Sequence, residues 1–180
     1  MPEIQVRPTA APDLPRLMGL DHSIGSEAVW QLELRREAGQ IAATFREVRL
    51  PRSIAVAYPR NPFSLADDWA KRSMLYTALS GNDIVGYISL VERGMDSLVY
   101  VTDLVVDTTS RRQGVGSKLL STAHSWSADR GHRRMIFEMQ SKNLPAIRFV
   151  QKFGYEFCGY NDQYYLTQDV TLFFGRALKA

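Results

Sequence analysis

The sequence predicts one mixed α/β domain. Three observations carry that expectation. The second half alternates β-rich runs with segments of helical period, the pattern of a sheet packed against helices. Glycine and proline punctuation separates most of these runs. The 180 residues show no internal repeat, linker or low-complexity tract, and that length supports one domain, 1–180, with its own core.

The elements follow in order. Residues 3–7 alternate and read as a strand. Residues 8–13 enter a helix running to about Leu20, with Asp13 as a cap. Residues 27–38 are good helix formers ended by Gly39 and are expected as a helix. Residues 41–58 look strand-like, interrupted by Pro51 and bounded by Pro59 and Pro62. Residues 67–72 suit a helical turn. Strands are expected at 73–80 and 84–93, joined by the hairpin signal Gly81-Asn82-Asp83. Gly94-Met95-Asp96 is a further turn before a strand at 98–106. Residues 115–130 form a helix on the stripe Val115, Leu119, Ala123 and Trp126, stopped by Gly131. A strand at 134–140 precedes a helix at 143–153, whose Ala146, Phe149, Val150 and Phe153 fall at i, i+3, i+4, i+7. Pro145 lies in its first turn and Gly154 ends it. Closing strands are expected at 155–160 and 170–178.

Composition narrows the classes. Apolar residues make up 45% and charged residues 23%, as in ordinary soluble proteins. The net charge of +3 is spread along the chain. It suits an anionic ligand and argues against nucleic acid as a partner. One cysteine, Cys158, permits no internal disulfide and points to a reducing, cytoplasmic setting. The N-terminal residues lack the basic and apolar regions of a signal peptide, and no window of 18 apolar residues is present. The three histidines have no metal-ligand spacing, so no metal is expected.

The most informative stretch is 101–120. A β-branched run ends at Val106, and Arg111-Arg112-Gln113-Gly114-Val115-Gly116 leads into the helix expected at 115–130. A strand, a basic glycine-containing loop and a helix N-terminus together hold phosphates, because backbone N–H groups converge on an anion. Arginines add charge-assisted bonds. The order is wrong for a P-loop, since Lys118 follows Ser117. A dinucleotide fingerprint fails because Leu119 stands at the third glycine position.

The remaining R-x-x-G-x-G pattern at 111–116 resembles the acyl-CoA-binding motif of the GNAT family of N-acetyltransferases. Asn143, Ala146, Phe149 and the Gly154-Tyr155 pair resemble a second block of that family. The resemblance covers about 73–160, roughly half the chain. Within the family, the run from Glu138 to Ala146, Gly159, Asp162 and the aromatic Leu172-Phe173-Phe174 are similar to the streptothricin acetyltransferase-like branch. The resemblance implies a central, mostly antiparallel mixed sheet flanked by helices. It implies acetyl-CoA as acyl donor, with the pyrophosphate on Arg111, Arg112, Gln113, Gly114, Val115, Gly116 and Ser117. The pantetheine arm would pair with the strand edge at Leu104, Val105 and Val106, and Asn143 would lie near it or cap its helix. Acceptor-site elements are expected in about 1–72 and 160–180.

Acetyl transfer to an amine needs proton removal from the nucleophile and a donor for the developing oxyanion. Glu138 and Asp103 are the candidate bases, because a carboxylate inside an apolar strand is costly unless paired or used. The alternative for each is a strand-edge charge that faces solvent or pairs with Arg133 or Arg134. The family's tyrosine falls at Val150, which donates no proton. Tyr155 and Tyr160 are substitutes, and a thiolate also leaves without an acid. Cys158 reads as a small buried residue. Tyr160, Tyr164, Tyr165, Phe173 and Phe174 suit an acceptor pocket or core packing, and Asp162 a cationic substrate or a turn.

The expected function is acetyl-CoA-dependent acetylation of a primary amine on a small, antibiotic-like molecule. Two alternatives stay open: acetylation of a protein N-terminus or lysine, and an acyl-CoA-binding sensor without catalysis. A membrane partner is not expected. A homodimer is left open.

Overall fold

A computed structural model describes residues 3–93 and 97–178. The turn expected at Gly94-Met95-Asp96 lies outside the described residues. The strand order along the hydrogen-bonded sheet is β1 (Ile4–Pro8), β4 (Met74–Ser80), β5 (Asp83–Glu92), β6 (Leu98–Val106), β7 (Arg134–Gln140), β9 (Thr171–Ala177) and β8 (Glu156–Asn161), with a separate two-stranded hairpin of β2 (Ile24–Glu37) and β3 (Gln40–Val56). The β1–β4, β4–β5 and β5–β6 pairs are antiparallel and β6–β7 is parallel. This is the mixed, mostly antiparallel sheet that the sequence led us to expect. The described residues divide into two compact units.

The first unit contains residues up to His22, then Arg60–Glu138, then the chain from Gly175. Its elements are β1 (Ile4–Pro8), α1 (Leu14–Met18), α2 (Leu65–Asp68), β4 (Met74–Ser80), β5 (Asp83–Glu92), β6 (Leu98–Val106) and α3 (Val115–Asp129). It also holds most of β7 (Arg134–Gln140) and the end of β9 (Thr171–Ala177). Leu14, Leu17, Leu20, Leu65, Leu75, Tyr87 and Val105 form one buried cluster, which fixes α1 and α2 on the sheet. The helix α3 packs against β5 and β6. Asp13 does not cap by accepting from inside its helix. Its carboxylate accepts from Ala10 N at 2.8 Å and from both terminal nitrogens of Arg7, which tie the helix entry to β1.

The second unit contains residues 23–59 and 139–174. It holds β2 (Ile24–Glu37), β3 (Gln40–Val56), α4 (Leu144–Lys152), β8 (Glu156–Asn161) and the start of β9. The helix expected at 27–38 is instead the first arm of the β2–β3 hairpin, turned at Gly39 with φ +75°. Residues 27–38 alternate as well as they spiral: Ala28, Trp30, Leu32 and Leu34 share one strand face. Pairing with β3 outweighs helix propensity, which is a weak preference of tenths of a kcal/mol per residue. Pro51 is tolerated because the register jumps there, from Ser26↔Ile54 to Ala28↔Arg49, leaving a bulge that needs no N–H from it. Trp30 N donates to Ser141 O at 2.9 Å and Ser141 N to Val170 O at 2.8 Å. The remaining strands and helices fall within a residue or two of their expected bounds.

Candidate active site

The strand β6 is where the site begins. Its pairing with β5 slips at Thr102: Ser89 faces Asp103 and Leu90 faces Val101, so Thr102 is an inserted residue. Such a bulge bends its strand and increases local twist. The ladder with β7 runs from Leu98↔Arg134 to Val101↔Phe137 and goes no further, although β6 continues to Val106 and β7 to Gln140. Leu104, Val105 and Val106 pair with Ile88, Tyr87 and Gly86 on the β5 side. On the other side they are not in the β7 ladder. A strand edge that opens in this way can accept an extended chain. Gly86 permits the close approach of β5, since a Cβ there would lie 2.5 Å from Val105 O.

The loop after β6 is braced throughout. Asp107 accepts from Thr109 N at 3.0 Å and from its hydroxyl at 2.8 Å, and these bonds hold its carboxyl below the usual range. Gln113 Nε2 donates to Thr109 O at 2.9 Å. The backbone turns through left-handed Arg112, φ +63°, and Gly114, φ +87°, and α3 starts at Val115. The first intrahelical bond after the turn runs from Lys118 N to Gly114 O. The amides of Val115, Gly116 and Ser117 therefore lie in the first turn, where no intrahelical acceptor exists and an anion is favoured. This set suits a pyrophosphate. Arg111, expected at the phosphates, is engaged with the backbone. Its Nε donates to Val106 O at 3.0 Å and its Nη2 to Asp21 O at 3.2 Å, so it ties the loop to the end of β6. Arg112 and Ser117 are exposed.

Both candidate bases lie at the fork. The Asp103 and Glu138 side chains are 2% and 0% exposed. Their partners are not Arg133 and Arg134. Arg60 Nη1 donates to Thr102 O at 2.9 Å and lies 3.4 Å from Asp103 Oδ1, while its Nη2 bonds Glu138 Oε1. Arg93 Nη1 donates to Glu138 Oε2 at 3.1 Å. Arg72 Nη1 donates to Thr102 Oγ1 at 3.1 Å, which in turn donates to Asp103 Oδ2 at 2.9 Å. Three guanidiniums thus face two buried carboxylates. Buried ions persist only when paired in this manner. No sequence motif marks these arginines. The one available signal was chemical: two strand-borne acids require cations, and their chain neighbours point elsewhere. Arg134 lies against Gly175, where a Cβ would meet its guanidinium at 2.7 Å.

Asn143, the candidate tyrosines, Asp162 and Cys158 are in the second unit. Asn143 Oδ1 accepts from Ala146 N at 3.0 Å, which makes it the N-cap of α4. Tyr155 is 2% exposed, and its N–H donates to Val150 O at 3.1 Å. Val150 is itself buried with Leu144 and Ile147 on the inner face of α4. Tyr160 lies edge-on to Phe45 at 5.2 Å, and Tyr164 to Phe173 at 5.7 Å. Tyr165 and Phe174 are buried, whereas Asp162 is exposed in the turn after β8. Cys158 is exposed on β8, the last strand of the sheet, which corrects the expectation of a buried thiol. His22 Nδ1 lies 2.7 Å from Leu20 O and its Nε2 3.0 Å from Tyr87 Oη, and burial pushes its imidazole below the ordinary range. Among the described residues, no group of three or more His, Cys, Asp or Glu is placed to hold a metal ion.

An opened strand edge beside a glycine-turned helix N-terminus is a geometry suited to an extended, phosphate-bearing ligand. The chain belongs to the acetyltransferase (GNAT) family, whose sequence model matches residues 41–155. It is 23% identical over 158 residues to streptothricin acetyltransferase of Streptomyces lavendulae, covering 85% of this chain and 82% of that one. Solved structures share its fold, two of them as follows. Nourseothricin acetyltransferase superposes with a TM-score of 0.81 at 21% identity, over 98% of this chain and 99% of the other. A Bacillus anthracis protein assigned as a streptothricin acetyltransferase, solved with acetyl coenzyme A, gives 0.74 at 23% identity, over 97% and 99%.

Proposed function

We propose that this protein transfers the acetyl group of acetyl-CoA to a primary amine of a small antibiotic-like molecule, of which streptothricin is the first to test. The observation that carries the reading is the parting of β6 from β7 directly before the glycine-turned start of α3. The donor's pyrophosphate is assigned to the amides of residues 112–117, and its pantetheine amides to the edge at Leu104, Val105 and Val106. The names of the relatives support the acceptor class. The family match crosses both units, which supports reading the chain as one catalytic domain.

The chemistry follows from the groups at the fork. The amine must lose a proton to attack, and Glu138 or Asp103 receives it, directly or through water. Nitrogen then bonds to the thioester carbon, a β6 amide stabilises the oxyanion, and the carbon–sulfur bond breaks. The thiolate takes up a proton, from solvent or from a tyrosine such as Tyr155. The lone exposed cysteine supports a reducing, cytoplasmic setting.

The test is thiol release from acetyl-CoA over streptothricin, aminoglycosides, diamines and peptides. Turnover confined to small amines supports the proposal. Turnover of peptides alone moves the acceptor to proteins. The second reading, a non-catalytic acyl-CoA sensor, draws on Val150 and predicts acetyl-CoA binding with no thiol release on any acceptor.

A further inference from the structure

We propose that Arg60 is a positioning residue for this reaction, fixing the spacing of Asp103 and Glu138 across the fork. The proposal rests on the acetyltransferase reading above. Backbone pairing of β6 and β7 stops at Val101↔Phe137. Thr102, Asp103 and Glu138 are the next residues along the two strands. A single guanidinium joins all three: Arg60 reaches Thr102 O at 2.9 Å, Asp103 Oδ1 at 3.4 Å, and Glu138 Oε1. It belongs to neither strand. It enters from the segment before the 3₁₀ turn Pro62–Ser64. Where ladder hydrogen bonds cease, this side chain takes over the work of holding the strands at a set distance.

Charge counting separates that role from neutralisation. Asp103 has Arg72 3.7 Å from Oδ2, and Glu138 has Arg93 on Oε2. Each acid keeps an arginine of its own if Arg60 is removed, so neither is left as an unpaired buried charge. What Arg60 supplies is a rigid planar fork that fixes one carboxylate relative to the other, together with the carbonyl of the bulged Thr102. A lysine offers one point charge and cannot reproduce it. Displacing a reacting group by about 1 Å can cost on the order of 100-fold in rate.

The test is steady-state thiol release with streptothricin, alongside the dissociation constant of acetyl-CoA, for wild type, Arg60→Ala and Arg60→Lys. The expected result is a kcat reduced about 10- to 100-fold in both variants, with acetyl-CoA affinity unchanged. Added methylguanidine restores part of kcat in Arg60→Ala and none in Arg60→Lys. A role confined to stability would not show that rescue. Wild-type kcat in Arg60→Ala, or full activity in Arg60→Lys, overturns the proposal. If Arg60→Ala does not fold, Arg60→Lys decides alone. A wild-type protein without acetyl-CoA-dependent thiol release on any of the amines and peptides offered overturns the acetyltransferase reading itself, a separate outcome from an active wild type with equally active variants.

Discussion

Glu138 illustrates what a residue in this fold must satisfy. It is a fully buried carboxylate on a strand, and both its oxygens accept from arginines. Glu138→Gln keeps the shape and removes the charge. Its kcat is expected to fall about 10²- to 10⁴-fold, the range for a lost acid–base group, with acetyl-CoA affinity retained. Wild-type kcat would remove Glu138 from the chemistry and leave Asp103. Gly114 is limited by its backbone. At φ +87° a side chain is strained by about 1–2 kcal/mol, so Gly114→Val should weaken acetyl-CoA binding in a calorimetric titration. Asp13 makes a pH prediction. Its bonds with Arg7 hold its carboxyl below the ordinary 3.8. The unfolded chain therefore binds the proton more readily, and this stabilisation is complete above 3.8 and is lost as pH falls through the folded value. Asp13→Asn should lower Tm at pH 7, and the gap to wild type should close in strong acid. A gap constant with pH would contradict the assignment.

At the scale of elements, the β5–β6 pair fixes the strand proposed to meet the donor. The missing side chain at Gly86 lets Val105 O approach, and a Cβ would fall 2.5 Å from it. Gly86→Ala should cost about 1–3 kcal/mol, lowering Tm by several degrees, and should weaken acetyl-CoA binding because residues 104–106 shift with it. Scanning calorimetry with and without acetyl-CoA checks both. The elements also show what the sequence could reveal. Short strands bounded by Gly81, Gly131 and Gly154 were legible because the turn chemistry is local, each glycine having positive φ. The donor loop was legible for the same reason. The β2 arm was not: it satisfies helix propensity, and its strand state depends on a partner set by pairing rather than by local preference. The fork acids were found from their apolar neighbours, but Arg60, Arg72 and Arg93 were not. They converge from different loops and strands, and only folding brings them together. Cys158 was misplaced because a strand in sequence does not reveal that it lies at the sheet's edge.

At the scale of the molecule, a chain of the acetyltransferase (GNAT) family carries a braced loop before α3, an opened strand pair and a cluster of acids and arginines. None of the described helices is long and apolar enough to cross a membrane. Val150, where the family resemblance would place a tyrosine, is buried on α4, so a tyrosine there is expected to be a poor repair. Val150→Tyr inserts a ring into the inner face of α4 and should destabilise by about 1–3 kcal/mol before any gain in proton donation is seen. The measurement that tests the central claim most directly is thiol release from acetyl-CoA with streptothricin, with the product followed by mass spectrometry. The account predicts release of CoA only when the amine is present, with one acetyl group gained by the acceptor. Saturable acetyl-CoA binding with no release on any amine offered would contradict it.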